Sequence, residues 1–299
     1  MKKFFMVIAT VLCLTVGLTS FAACQPNDEI LVVSRESGSG TRDAFDSLIK
    51  NEAGDSLSKK ADGTKYDAIV KTANIQNSTG NVMTKVSTVK NAIGYISLGS
   101  LNSTVKAITV NGIAANAANV LNGTYKLQRP FVIATNKNAV LTEATADFVK
   151  YLQSSQAQAV VTSNKYVEQA SKSTYVAPEK AISGRVVIKG STSIDPLMDK
   201  LIADYQKIGG SKVNGVEFLK DAQGSSQGVT AAVEDTTGTV IGMSSSKIKD
   251  NYAPSLKQFN IALDAVAVIV NNSNSIKNLT IANLYDIYTG AIKSFSNIK

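Results

Sequence analysis

This chain of 299 residues contains no histidine and no tryptophan, and only two cysteines, Cys13 and Cys24. Without histidine there is no Ser-His-Asp or Cys-His nucleophile pair, no His-ligated zinc, no HExxH motif and no imidazole acid–base catalyst near neutral pH. Ser-Lys and carboxylate pairs stay open as catalysts, so the absence lowers the case for an enzyme without closing it. Hydrophobic residues make up 44% and charged residues 18%, and the ordinary apolar fraction argues against a disordered or collagen-like chain. The length suits one or two compact domains.

Residues 1–23 place two lysines before an apolar stretch from Phe4 to about Leu18 and close on small residues before Cys24. This is the layout of a secretory signal peptide, and Phe21-Ala22-Ala23-Cys24 resembles a lipobox in which Cys24 is lipidated and becomes the new N-terminus. An uncleaved membrane helix is the alternative, since residues 4–23 carry no charge and are long enough to span a bilayer. A helical anchor has no need of small residues and a cysteine at its end, so the lipoprotein reading is preferred. On either reading the rest of the chain lies outside the cytoplasm.

Processing removes Cys13 and commits Cys24, leaving no thiol for disulfide, metal-thiolate or redox chemistry. Lys2 and Lys3 leave as well, so the formal charge of +8 becomes +6, with 29 basic residues against 23 acidic. Such an excess suits a small anion, an anionic membrane surface or nucleic acid. The basic residues are scattered with no aromatic interleaving, which argues against nucleic acid.

Beyond residue 29 the chain alternates short apolar runs with helical periodicity. Ile30–Ser34 reads as a buried strand, followed by glycines and a helix over Thr41–Ile49. Arg185–Lys189 leads through Gly190-Ser191-Thr192-Ser193 into a helix carrying Leu197, Leu201, Ile202 and Tyr205. Glu217–Leu219 leads through Gly224-Ser225-Ser226-Gln227-Gly228 into Val229–Val233, and Thr239–Met243 ends in Ser244-Ser245-Ser246. Helices are also expected at Val82–Lys90 and Glu143–Leu152, and strands at Ile93–Ile96 and Phe131–Thr135. Glu168–Gly184 is polar and reads as a linker. The alternation predicts an α/β protein with largely parallel sheets.

Four Ser/Thr/Gly loops carry the chemistry: Arg35–Arg42, Gly190–Ser193, Gly224–Gly228 and Ser244–Ser246. Glycine lets backbone N–H groups turn toward one point, hydroxyls add donors, and a following helix places its positive end there. Any one of these loops alone is more often a helix N-cap than a ligand site. Their recurrence at strand ends, where open α/β sheets bind ligands, favours a shared oxyanion cage. Three helix N-termini at roughly +0.5 each, with Arg35, would oppose a phosphate of about −1.5 to −2.

The stretch Ser34–Phe45 (SRESGSGTRDAF) closely resembles the signature of the phosphate-binding proteins that serve phosphate ABC transporters. The resemblance extends to NAIGYISLG from Asn91, GSTSIDPLMDKLIADYQK from Gly190, GSSQGV from Gly224, IGMSSSKIK from Ile241 and the stretch from Leu263 to Ile292. It implies a type II periplasmic-binding-protein-like α/β fold. Each lobe is then a mixed, mainly parallel sheet flanked by helices, and the ligand lies in the interlobe cleft. The motif order is rotated relative to that family, in which RESGSGTR comes last, so a circular permutation is expected, with residues 168–184 joining the usual C- and N-termini. A fragment of a tandem array is the alternative, disfavoured because every motif occurs once.

The implied organisation is a signal peptide at 1–23, a lipid-anchored linker at 24–29, one lobe from 30–130 plus 267–299, and a second from 133–265. Crossing strands are expected near Arg129–Ala134 and Asp264–Val270. The resemblance also implies the ligands: Arg35 through two charge-assisted bonds, Ser39, Gly40 and Thr41 through N–H or hydroxyl groups, Thr192 through hydroxyl and N–H, Ser193 through N–H, and Ser225 and Ser245. Ser245 stands where some members have an aspartate that accepts the ligand's proton, which puts the usual rejection of sulfate in question. Glu36 is expected to orient Arg35 or Arg42, or to stand in for that acceptor.

The implied function is extracytoplasmic binding of inorganic phosphate by a monomeric, non-enzymatic lipoprotein, without cofactor, that delivers its ligand to ABC permease subunits. Receptors for sulfate or arsenate, a phosphate-scavenging surface lipoprotein, and, further off, a phosphoester-processing enzyme are the alternatives.

Overall fold

Continuous apolar runs become strands covered on both faces, and polar Ser/Gly turns between them start the helices. The computed structural model describes residues 28–170 and 173–298; the expected signal peptide and the Cys24 lipidation fall outside them. The first part of the chain forms β1 (Leu31–Arg35), α1 (Gly40–Leu48), β2 (Asn74–Gln76), α2 (Thr79–Thr88), β3 (Ala92–Ser97), β4 (Val105–Ala107), β5 (Thr109–Val110) and α3 (Ala117–Leu121). Next come β6 (Gln128–Asn136), α4 (Glu143–Leu152), α5 (Ser155–Ser163), β7 (Ser183–Gly190), α6 (Asp195–Gly209), β8 (Gly215–Asp221), α7 (Ser225–Glu234) and β9 (Val240–Ser244). The chain closes with β10 (Leu256–Asn271), β11 (Asn278–Leu279) and α8 (Ile281–Thr289).

The main sheet runs β2-β1-β3-β10-β6-β9-β7-β8, with β4 also paired to β10. β1 lies parallel to β2 and β3, and β7 parallel to β8 and β9, whereas β6 and β10 run antiparallel to their neighbours. The sheet is therefore mixed, with parallel flanks and an antiparallel centre.

β10 is the organising element. Its first half pairs with β6 from Leu256↔Asn136 to Ala265↔Gln128, and its second half pairs with β3 from Val266↔Ser97 to Val270↔Ile93. Hydrophobic cores form on either side of this change of partner. One gathers Phe131, Ile133, Phe148, Tyr151, Ile188, Leu201, Tyr205 and Ile241, and the other gathers Phe45, Ile93, Tyr95, Leu127, Val268, Leu284 and Tyr288. Val167 joins the second core by exchanging two backbone hydrogen bonds with Leu263, at 3.0 and 2.9 Å.

Two strands cross buried at the centre with a charge pair between them. Arg129 and Asp264 are cross-strand partners, with Arg129 Nε and Nη2 donating to Asp264 Oδ2 at 3.2 and 3.1 Å, and Ser97 Oγ donating to Oδ1 at 3.0 Å. Burial pushes the Asp264 carboxyl up to about 6 against the opposing pull of Arg129.

Close packing aims α7 at the end of β7. A Cβ at Gly228 would stand 2.5 Å from the Lys189 carbonyl and 2.6 Å from Gly190 Cα, so only glycine lets this helix lie so low on the strand. α2 begins at Thr79, three residues before the expected Val82, because the Ser78 side chain accepts from the Asn81 N–H and caps the helix there. Ser244–Ser246 leads into no α-helix; a 3-10 turn at Ala253–Ser255 is the next helical piece.

Candidate anion-binding site

The signature loop leaves β1 at Arg35 and enters α1 at Gly40, with Ser39 as its N-cap accepting from the Arg42 N–H at 3.3 Å. Beneath it Phe45 stacks on Tyr95 with ring centroids 4.0 Å apart, and Tyr288 packs against both rings. The Tyr95 hydroxyl lies 2.8 Å from Ser34 Oγ and accepts from the Arg35 N–H at 3.3 Å. An aromatic base thus fixes the point where the loop leaves the sheet.

Arg35 is 2% exposed. Its Nε and Nη2 donate to Glu36 Oε2 and Oε1, both at 2.8 Å, in a bidentate pair. A second Nη2 contact reaches Thr192 Oγ1 at 3.1 Å, and Nη1 reaches Thr79 Oγ1 at 3.4 Å. Arg42, for its part, donates to Asp46, to the Arg35 carbonyl and to Asp67, so Glu36 orients Arg35 and not Arg42.

The remaining expected residues meet at the same place. Thr41 Oγ1 lies 2.8 Å from Ser193 Oγ, and the Ser245 N–H donates to Ser225 Oγ at 3.0 Å. The Ser225 and Ser245 hydroxyls are 3.3 Å apart. Gly40 is what admits them: a Cβ there would sit 2.4 Å from Ser225 Oγ and 2.8 Å from Ser245 Oγ. The Ser226 N–H donates to the Gly38 carbonyl at 3.0 Å, joining two of the loops directly. Of the eight expected residues, Arg35, Thr192, Ser193 and Thr41 are joined by side-chain contacts, and Ser225 and Ser245 lie against Gly40 beside Thr41; Ser39 bonds within its own loop as the N-cap of α1.

Two details differ from expectation. The Ser193 N–H points to Ser191 Oγ at 3.2 Å, so Ser193 faces the cluster with its hydroxyl, and the Ser39 N–H closes a turn onto the Glu36 carbonyl at 3.2 Å. Thr79 is an unforeseen member, with its hydroxyl 3.3 Å from Thr192 Oγ1 and 3.2 Å from Ser193 Oγ. The Asn77-Ser78 pair ahead of α2, with Ser78 as N-cap, is the signal that could have revealed it.

These contacts revise the charge balance. Glu36 offsets the Arg35 charge, while α1, α2, α6 and α7 all start at the cluster, contributing about +2 in total at roughly +0.5 each. A dianion placed here would be matched mainly by backbone dipoles. Among the described residues no group of three His, Cys, Asp or Glu side chains could hold a metal ion.

The signature loop is backed by a buried acid. Asp46 accepts from Arg42 Nε at 3.1 Å, its Oδ1 has no partner, and burial pushes its carboxyl up to about 7 although Arg42 pulls it down. An unfolded aspartate titrates near about 3.9, so between that pH and about 7 the folded chain holds the extra proton. Stability then falls as pH rises through this window. Urea midpoints at several pH values should decline from the acidic to the basic side in the wild type and decline less in Asp46→Asn; equal slopes would refute it.

The PBP superfamily domain model matches residues 22–156 and 175–297. The chain is 40% identical over 272 residues to phosphate-binding protein PstS 2 of Streptococcus pneumoniae serotype 4, covering 90% of this chain and 88% of the relative. The chain belongs to the PstS-like phosphate-binding proteins of the PBP superfamily. PstS 2 of Streptococcus agalactiae serotype V is another member, 39% identical over 283 residues with 94% of this chain and 92% of the relative covered. A crystal structure of a phosphate-binding protein of a phosphate ABC transporter from Streptococcus pneumoniae TIGR4 superposes with a TM-score of 0.67 at 40% identity, covering 91% of this chain and all of that one. Its likeness establishes the type II binding-protein fold for this family member.

Proposed function

We propose that this protein binds inorganic phosphate in the cage at the start of α1 and delivers it to the permease of an ABC importer. The observation that carries the reading is the clustering of the buried Arg35, Thr41, Ser193, Ser225 and Ser245 with the half-buried Thr192, in a chain whose relatives are named for phosphate binding. A buried oxyanion needs each oxygen hydrogen-bonded, and the cage supplies hydroxyl, guanidinium and helix-start donors. A cavity of about 460 Å³ beside α1 is lined by Lys59, Lys65, Lys247 and Lys249 against Asp43, a field that draws anions toward the cage.

On this reading the protein is a binding component and not an enzyme, works as a monomer without cofactor, and is held outside the cytoplasm by lipidated Cys24. Among the described residues no helix is long and apolar enough to cross a membrane. The two cores support lobes at 30–130 plus 267–299 and at 133–265, with the ligand between them, although Val167 of the second range packs into the core of the first. We read the motif order as a circular permutation whose joint lies at 168–184, in keeping with a family match that breaks between 156 and 175. The streptococcal relatives, matched over 90% and 94% of this chain, would share the rotation.

Isothermal titration with phosphate, arsenate, sulfate and molybdate tests the assignment. Phosphate should bind much more tightly than sulfate, and sulfate binding as tight as phosphate would sink it.

A further inference from the structure

Thr79 is 4% exposed and belongs to none of the four loops that the sequence marks. β2 runs parallel to β1 with Gln76 opposite Arg35, and this pairing delivers Asn77–Thr79 to the same sheet end as the guanidinium. The hydroxyl then sits among three groups of the cage: Arg35 Nη1 at 3.4 Å, Thr192 Oγ1 at 3.3 Å and Ser193 Oγ at 3.2 Å.

From this placement we infer that Thr79 is a direct phosphate ligand and also fixes the free edge of Arg35. The inference rests on the phosphate reading of the cage. Guanidinium groups only donate, so the Arg35 Nη1 contact occupies a lone pair of Thr79 Oγ1. The hydroxyl proton is thereby directed away from Arg35, to the side where the Thr192 and Ser193 hydroxyls lie, and is free to go to a phosphate oxygen there. Glu36 holds the other edge of the guanidinium through Nε and Nη2. Arg35 is thus clamped by a carboxylate on one side and a threonine hydroxyl on the other, and the threonine adds its own donor to the oxyanion.

The same geometry bears on discrimination. Both oxygens of the one carboxylate bonded to Arg35 are engaged by that guanidinium, and Ser245 supplies a hydroxyl. The side chains of Thr41, Thr79, Thr192, Ser193, Ser225 and Ser245 present hydroxyls that can reorient, so this ring has oxygen lone pairs to offer a proton on phosphate.

Titration of phosphate into wild type, Thr79→Val and Thr79→Ser tests the assignment. Valine keeps the shape and removes the hydroxyl, and a charge-assisted bond is worth enough that its loss should weaken binding by about tenfold or more. Serine should bind within about threefold of wild type, because it keeps the donor. Equal phosphate affinity in wild type and Thr79→Val would overturn the Thr79 assignment alone, whereas a wild type that binds no phosphate overturns the cage reading with it. A crystal structure of the wild-type phosphate complex decides independently of how the variants fold. Thr79 Oγ1 should lie within hydrogen-bond distance of a phosphate oxygen, and a separation beyond about 3.5 Å from all of them would overturn the inference.

Discussion

Replacing Arg35 by alanine should weaken phosphate binding by at least about a hundredfold. Two losses combine. The anion loses charge-assisted bonds worth about 1.5–3 kcal/mol, and Glu36, which receives both of its hydrogen bonds from Arg35 at 2.8 Å, becomes an unpaired carboxylate facing the ligand. The second loss predicts a recovery: Arg35→Ala/Glu36→Gln should regain part of the affinity, since the amide no longer repels the anion. Arg35→Lys should not restore binding, because an ammonium cannot hold Glu36 in a bidentate pair and reach Thr192 and Thr79 together. Calorimetric titration of the four proteins measures this, and an unchanged affinity in Arg35→Ala would place the anion elsewhere.

Breaking the pair between the crossing strands should be the most destabilising change in the chain's centre. The side chains of Arg129 and Asp264 are 1% and 0% exposed. Arg129→Ala leaves a buried carboxylate with only Ser97 as a side-chain partner, and the cost of such an orphaned charge is about 3–5 kcal/mol. Asp264→Ala leaves a guanidinium whose Nη1 already lacks a hydrogen-bond partner, at a similar cost. Arg129→Met/Asp264→Leu removes both charges and fills the space, so most of the stability should return. Urea unfolding of the three variants tests it; a single variant losing less than about 1 kcal/mol would show that water or the opposite strand satisfies the survivor.

Local signals in the sequence read well where a single element produces them. Glu143–Leu152 forms the expected helix, and the strand at Ile93–Ile96 is extended by one residue at each end. The serine- and glycine-rich loops were visible because hydroxyl and glycine clusters at strand ends have a direct physical meaning. What stayed hidden depends on pairing in space. Thr79 enters the cage only because β2 docks beside β1, and apolar periodicity placed the helix start at Val82, past its polar first turn. The 16-residue reach of β10 was partly hidden because its first residues, Lys257, Gln258 and Asn260, are exposed and carry no buried-strand pattern. The Arg35–Glu36 pair joins sequence neighbours, which alternate across a regular strand; only the turn that follows β1 lets their side chains meet.

β10 also sets an order of events. Val268 pairs with Tyr95 and Ile269 with Gly94, and the Ile30 N–H donates to the Lys293 carbonyl. A chain emerging N-terminus first therefore makes β1, β2 and β3 long before their central strand exists, and the edge of β3 stays unpaired until residues 266–270 arrive. Contacts so distant in sequence slow folding and leave a strand edge open to other chains meanwhile. The half of the molecule synthesised first is the half completed last.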